Sequence, residues 1–331
     1  MVSTTPEFML CRMEPRAPFH VGEREMALES TEHYIHSDTL FSGICCMYRL
    51  LYGREELESL LERFLQHDVP FMISSAFPYA GNVLLLPIPK NVNLAQYVNQ
   101  SLRKQYKKLE FVSLDIFTKL VRGEDIAEDV VRGKLVQNGR VLVSSDESVP
   151  DRVWCVKEVP RVTIDRKDNA SSLYMFSEVS FAPGCGLWFL MDMREKRYTK
   201  KVWAAIRLLG EEGIGGDRTC GKGLFSVSEK KMDVRTKSTA DHFLTLSLYH
   251  PSRDELSLTR PSYYELVRRG GWISGSRGMR RKRVRMFAEG SVFNAPCGTY
   301  GELVDVTPDA FFDHRVYRYG YAFCMPMEVH A

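Results

Sequence analysis

Residues 210–225 read Gly-Glu-Glu-Gly-Ile-Gly-Gly-Asp-Arg-Thr-Cys-Gly-Lys-Gly-Leu-Phe, and six glycines in so short a span constrain the fold more than any other stretch of this chain. Glycine accepts positive φ and lets another backbone come close, so a loop this rich in it is built to lie against something through its own N–H groups. Arg218 and Lys222 within the loop point to an anion. The segment from Gly216 to Lys222 approaches a nucleotide-binding P-loop, but Gly223 stands where that motif needs the Mg²⁺-binding Ser or Thr. The order of elements is also reversed. Val202, Ile206 and Leu209 predict a helix over 198–209 before the loop, and the alternation after Leu224 predicts a strand behind it, whereas a P-loop leaves a strand and opens a helix. A helix–glycine loop–strand unit that lays backbone amides on a phosphodiester chain fits better. Within it Gly213, Gly215, Gly216, Arg218, Gly221, Lys222 and Gly223 are the expected contact residues.

The net charge of +3 becomes informative once divided along the chain. Residues 191–237 carry +5 and residues 268–285 carry +8 with no acid, leaving −10 for the remainder. Positive charge concentrated in two segments of an otherwise acidic body is the footprint of a polyanion site. The second segment places Trp272 beside Arg277, Arg280, Arg281, Lys282 and Arg283, and basic side chains next to an aromatic suit a single-stranded backbone with a stacked base.

With 331 residues the chain is long enough for two domains, and 44% hydrophobic with 26% charged residues describes an ordinary globular protein. No apolar run reaches the ~18 residues of a membrane span. Eight cysteines without a C-x-x-C pair read as reduced thiols, and with no basic-then-apolar leader at the start the cytoplasm is the expected compartment. No metal or other cofactor is expected.

Along the chain, residues 8–22 begin as a strand. His36, Ser37 and Asp38 then offer side chains to cap a helix whose apolar face is Leu40, Ile44, Met47 and Leu51. A second amphipathic helix covers 55–66, and 69–90 reads as two strands around a Pro-Tyr-Ala-Gly-Asn turn. The pattern weakens over 91–160, where Asn138-Gly139 marks a hairpin with a type I′ turn; this region is expected to project as an insertion. Strands over 172–181 and 186–193 precede the 198–209 helix. The fold expected is therefore α+β: a first ferredoxin-like domain over 1–240 with an insertion at 91–160, and a mostly β, degenerate ferredoxin-like second domain over 241–331.

Catalytic signals are sparse. His20, His33 and His36 could act as general acid or base, but none is followed by a recognisable partner. The carboxylate groups Asp125/Glu128/Asp129 and Asp305/Asp309 lack the spacing of a metal site, and no G-x-S-x-G elbow is present.

The glycine loop, Pro18-Phe-His-Val-Gly22 and Ile35-His-Ser-Asp-Thr-Leu-Phe-Ser-Gly43 together resemble the RAMP superfamily of CRISPR proteins. More narrowly, Ser74-Ser-Ala-Phe-Pro-Tyr79 with Leu85-Leu-Pro-Ile-Pro89, Arg161-Val-Thr-Ile-Asp-Arg166, and Gly271-Trp-Ile-Ser with Ala288-Glu-Gly-Ser-Val-Phe293 resemble the subunit-four family of type III-A (Csm) effector complexes. The resemblance implies two ferredoxin-like (RRM-like) domains, no catalytic centre, and binding of the crRNA 5′ handle, with His20, Gly22, Ser37, Arg161 and Arg166 joining the RNA contacts. It implies a large polymerase-like subunit and a backbone RAMP subunit as partners, target RNA close by, and a thumb built from the 91–160 insertion. Two alternatives stay open: an endoribonuclease that cuts repeat RNA with His20 or His36, and the equivalent subunit of a type III-B complex.

Overall fold

The computed structural model describes residues 7–22, 30–165, 167, 170–233, 240–260, 262–273, 276 and 278–329. Its first half runs β1 (Glu7–Pro15), α1 (Ser37–Tyr52), α2 (Arg54–Leu65), β2 (Phe71–Ile73), β3 (Phe77–Ala80), β4 (Val83–Pro87), α3 (Arg103–Tyr106), β5 (Phe111–Ser113), α4 (Leu114–Val121), α5 (Ala127–Arg132), β6 (Lys134–Val136) and β7 (Val141–Val143). Then come β8 (Trp154–Ile164), β9 (Ser171–Phe181), β10 (Cys185–Met193), α6 (Lys196–Glu212) and β11 (Phe225–Asp233). One nine-stranded sheet orders these as β11-β1-β10-β3-β4-β5-β7-β6, with β2 also on β10. Strand β1, next to the edge strand β11, pairs antiparallel with both β10 and β11, so Cys11 faces Phe189 on one side and Glu229 on the other. Buried apolar residues at Val202, Ile206 and Leu209 seat α6, and Gly43 of α1 leaves room for Leu209 to approach it.

The second half holds β12 (His242–Thr245), β13 (Ser262–Tyr263), β14 (Leu266–Arg269), β15 (Val284–Phe287), β16 (Val292–Phe293), β17 (Leu303–Asp305), β18 (Tyr317–Tyr319) and β19 (Cys324–Met327). Its largest sheet is β13-β16-β12-β19, with β14–β15 and β17–β18 as separate pairs. The two halves share their main core, although the second also has smaller clusters of its own around Phe243, Tyr249 and Phe293 and around Ile273, Val306 and Phe311. One apolar cluster runs from Phe8 and Phe41 through Phe64 to Tyr319, Tyr321 and Phe323, with Phe41 stacked on Tyr319 at 4.7 Å between ring centroids.

Four expectations need correction. Most of the expected 91–160 insertion, up to residue 153, does not project: β5, β6 and β7 extend the main sheet, and Phe111, Phe117, Val130 and Leu142 belong to its core. What stands apart is the β8–β9 hairpin, paired over eleven positions from Trp154↔Phe181 to Ile164↔Ser171 in a sheet of its own. Towards its tip Val162, Ile164 and Leu173 are exposed. The Asn138-Gly139 hairpin forms, but through a 3₁₀ turn in which Gln137, Asn138 and Gly139 all take positive φ, rather than through a two-residue turn. Finally, neither His36 nor Ser37 caps α1. The Ser37 N–H donates to Ser75 Oγ at 2.8 Å, and Ser37 Oγ accepts from Leu248 N–H at 3.0 Å, tying the helix start to the second half. Leu51, placed on the inner face of that helix, is exposed.

Candidate nucleic-acid interface

The chain leaving β1 runs alongside the glycine loop and organises it. Gly216 N–H donates to the His20 carbonyl at 2.8 Å, Gly223 N–H to the Pro18 carbonyl at 2.9 Å, and Ile214 N–H to the Gly223 carbonyl at 3.0 Å. Several of the loop's amides are thus satisfied by the protein itself, which corrects the expectation that they face outward. Gly215 shows why glycine is required: at φ +91°, an added Cβ would stand 2.2 Å from the His20 carbonyl oxygen. The loop's chemistry towards a ligand therefore comes from its side chains and from the groove it helps to wall.

That groove has a volume of about 1080 Å³ and draws on three distant segments. His20 and Gly22 come from the first, Gly213, Gly215, Gly216 and Arg218 from the glycine loop, and Arg268, Trp272, Arg281 and Arg283 from the second basic segment. Trp272 is 53% exposed and carries the Arg280 guanidinium over its ring at 4.6 Å, a cation–π pair on the surface. Arg281 lies deeper, donating to Ser42 Oγ at 3.1 Å. The His20 ring packs on Phe176 at 4.5 Å between centroids, and its Nδ1 is 2.8 Å from the Ser177 carbonyl. Nδ1 therefore carries the proton and donates.

Other expected contacts are engaged elsewhere. Lys222 pairs with Glu178 of β9, and Lys282 with Asp309. Arg161 lies 2.6 Å from Asp217 and stacks on Phe176 at 4.6 Å, so it braces the loop from the β8–β9 hairpin. Ser37 is fully buried, Gly221 is exposed beyond the groove lining, and Gly223 is buried against Ile214. Arg166 and Arg277 lie outside the described residues. Arg268 was missed; its signal was membership of the acid-free segment together with alternation along β14, which leaves it exposed and Arg269 buried.

Behind the groove sits a buried ionic network. Arg269 donates to both oxygens of Asp38 at 3.0 Å, and Arg318 pairs with the same carboxylate. His36 lies between Glu289, 2.7 Å from Nδ1, and Glu32, 3.1 Å from Nε2. Burial by itself opposes the charge on His36, but Glu289 and Glu32 outweigh it and lift its pKa to about 10. Asp38 shows the same contest: burial raises its pKa, and Arg269 and Arg318 more than reverse the effect. Both carboxylates thus favour the charged form of His36. Among the described residues no group of three or more His, Cys, Asp or Glu is placed to hold a metal ion, and no helix is long and apolar enough to cross a membrane.

Residues 238–327 match the family model of the CRISPR Csm4 C-terminal domain. The chain is 27% identical to the CRISPR system Cms protein Csm4 of Thermococcus onnurineus across 98% of both chains. It is 24% identical to the protein of the same name from Methanocaldococcus jannaschii, covering 93% of this chain and 94% of that one. Among solved structures, a chain of the Csm3–Csm4 subcomplex of the type III-A CRISPR-Cas interference complex shares the fold with a TM-score of 0.69 at 20% identity, covering 97% of this chain and all of that one. A chain of the Csm1–Csm4 cassette in complex with cA4 gives 0.64 at 23% identity, covering 98% and 100%. The likeness spans nearly the whole chain, which is Csm4-like in sequence and in fold.

Proposed function

We propose that this chain is a crRNA-binding assembly subunit of a type III-A CRISPR-Cas complex in the cytoplasm, holding the 5′ handle in the groove between the glycine loop and the second basic segment. The observation that carries the reading is the convergence of Arg218, Arg268, Arg281 and Arg283 with exposed Trp272 around one groove of about 1080 Å³, from segments fifty or more residues apart. Guanidinium groups for phosphates and an indole for a base are the recurring parts of single-strand binding. The relatives' association with Csm1 and Csm3 supports a large polymerase-like subunit and a backbone RAMP subunit as partners, linked through this chain. The strand order β11-β1-β10-β3, with α1 and α6 as connecting helices, supports a ferredoxin-like first domain, with a second domain beginning near residue 241. The thumb that would meet target RNA is better assigned to the exposed β8–β9 hairpin than to 91–160.

A non-catalytic role is the better reading. Catalytic use of His36 would need a proton that moves near neutral pH, and its two carboxylate partners hold that proton in place. The test is handle-RNA binding by the assembled complex across a salt series, comparing wild type with Arg218→Ala/Arg268→Ala. Two lost phosphate contacts flatten the slope of log K against log salt by about 1.4, at ~0.7 per contact for a single strand. An unchanged slope, or cleavage of repeat RNA by the purified chain, would overturn the proposal.

A further inference from the structure

A second cavity, of about 570 Å³, opens between the β4–β5 region and the second half, and it shares no lining residue with the groove. Tyr34, Phe77, Tyr106 and Phe111 give it aromatic walls, together with His33, whose ring stacks on Trp154 at 4.5 Å. Glu289 and Glu32 line it as well. Glu289 is only 4% exposed; its Oε1 is taken by His36 and Ser75, while its Oε2 has no hydrogen-bond partner among the described residues. Glu32 Oε2 is likewise buried without a partner. The other two carboxylates of the lining are paired, Glu110 with Arg140 and Glu265 with Lys90. The cavity is therefore complementary to a planar group that brings N–H donors to two acceptor oxygens. Lys107 lines the same cavity and belongs to an exposed basic turn with Arg103, Lys104 and Lys108.

We propose that this cavity binds a purine nucleotide, with the base against the half-buried Tyr34 ring, which Phe77 and Phe111 back, its amino-bearing edge on Glu289 and Glu32, and its phosphate at Lys107. A cationic side chain from a protein partner fits less well. Glu32, Glu289 and Asp38 are already balanced by His36, Arg269 and Arg318, and a cation would have to pass the Lys107 turn. Uracil fits less well too, because its single N–H is flanked by two carbonyl oxygens that would face the carboxylates. The nucleotide is either free or an unstacked base of an RNA strand; both present the same edge and phosphate.

Calorimetric titration of the full-length chain with GMP, AMP and UMP tests the assignment, with guanosine as the phosphate-free control. GMP and AMP saturate one site, and UMP binds roughly tenfold to a hundredfold more weakly, the cost of a buried acceptor left unmet. Lys107→Glu, an exposed position that leaves the fold alone, weakens GMP but not guanosine. Glu289→Gln weakens both. Arg218→Ala/Arg268→Ala leaves GMP binding intact, so failure of the groove assignment and failure of this one are separable. Displacement of GMP by an unstructured guanine-containing RNA identifies a strand as the source, and retention of GMP against that RNA identifies the free nucleotide. Absence of saturable GMP and AMP binding, equal affinity for UMP, or saturation by an arginine-rich peptide in place of nucleotide would each overturn the proposal.

Discussion

Burial alone would strip the proton from His36, yet Glu289 and Glu32 approach its two ring nitrogens to 2.7 and 3.1 Å and hold its pKa at about 10. An unfolded histidine titrates near ~6.5, so the folded state binds this proton more tightly. The stabilisation is complete below about pH 6.5 and is lost as pH rises towards 10. Asp38 and Glu289 behave oppositely: their folded pKa values lie below the ordinary carboxylate range, and their contribution is lost in acid. Urea unfolding midpoints should therefore fall between pH 7 and pH 10 in the wild type, and His36→Gln should start lower and lack that decline. A wild-type midpoint flat over this interval would contradict the charge assigned to His36. None of this was legible at the residue level. His36-Ser-Asp reads as a helix start because such side chains can accept first-turn N–H groups, whereas Arg269 and Glu289, the partners they found, lie 231 and 253 residues away. Arg218 and Trp272, by contrast, were legible because charge and aromaticity cluster locally in the sequence, and a groove can be built by bringing such clusters together.

The helix–glycine loop–strand unit was readable because each part carries its own short-range pattern: a 3.6-residue apolar repeat in α6, glycine density, then alternation into β11. The region 91–160 was not, since β5, β6 and β7 are three residues each and β5 pairs in parallel with β7, leaving no period to detect. The loop's role as a packed element makes a graded prediction. Gly215→Ala brings a Cβ to 2.2 Å from the His20 carbonyl, so it must displace the strand-exit segment; Gly221→Ala at φ +74° meets open space and pays only for conformation. The second change should cost about 1–2 kcal/mol, the penalty of a left-handed non-glycine residue, and the first distinctly more. Thermal unfolding of the two variants measures the order, and handle binding should fail first in Gly215→Ala. Equal losses would mean that the loop does not rest on His20.

At the scale of the whole molecule, the boundary near residue 240 marks a change of architecture, and the main core crosses it. Phe41 stacks on Tyr319, Phe64 packs against Tyr321 at 5.9 Å, and Ile73 N–H donates to the Tyr319 hydroxyl at 3.2 Å, so the first half's aromatic cluster is closed by the second. The Asp38–Arg269–Arg318 network crosses the same seam, and separating its members would leave charges buried without partners, at a cost of about 3–5 kcal/mol for such a break. Composition and alternation could show two halves, but they carry no information on whether two apolar faces meet each other or solvent. Residues 1–240 expressed alone should therefore expose Phe41 and Phe64, bind a hydrophobic dye, and lack the dispersed amide spectrum of a packed domain. Co-expression with 241–331 should restore all three properties together with the groove, whose walls come from both halves. A 1–240 fragment that unfolds cooperatively and shows native-like dispersion would demonstrate that the shared cluster is dispensable, and the groove would then be an interface between two independent domains rather than a feature of one core.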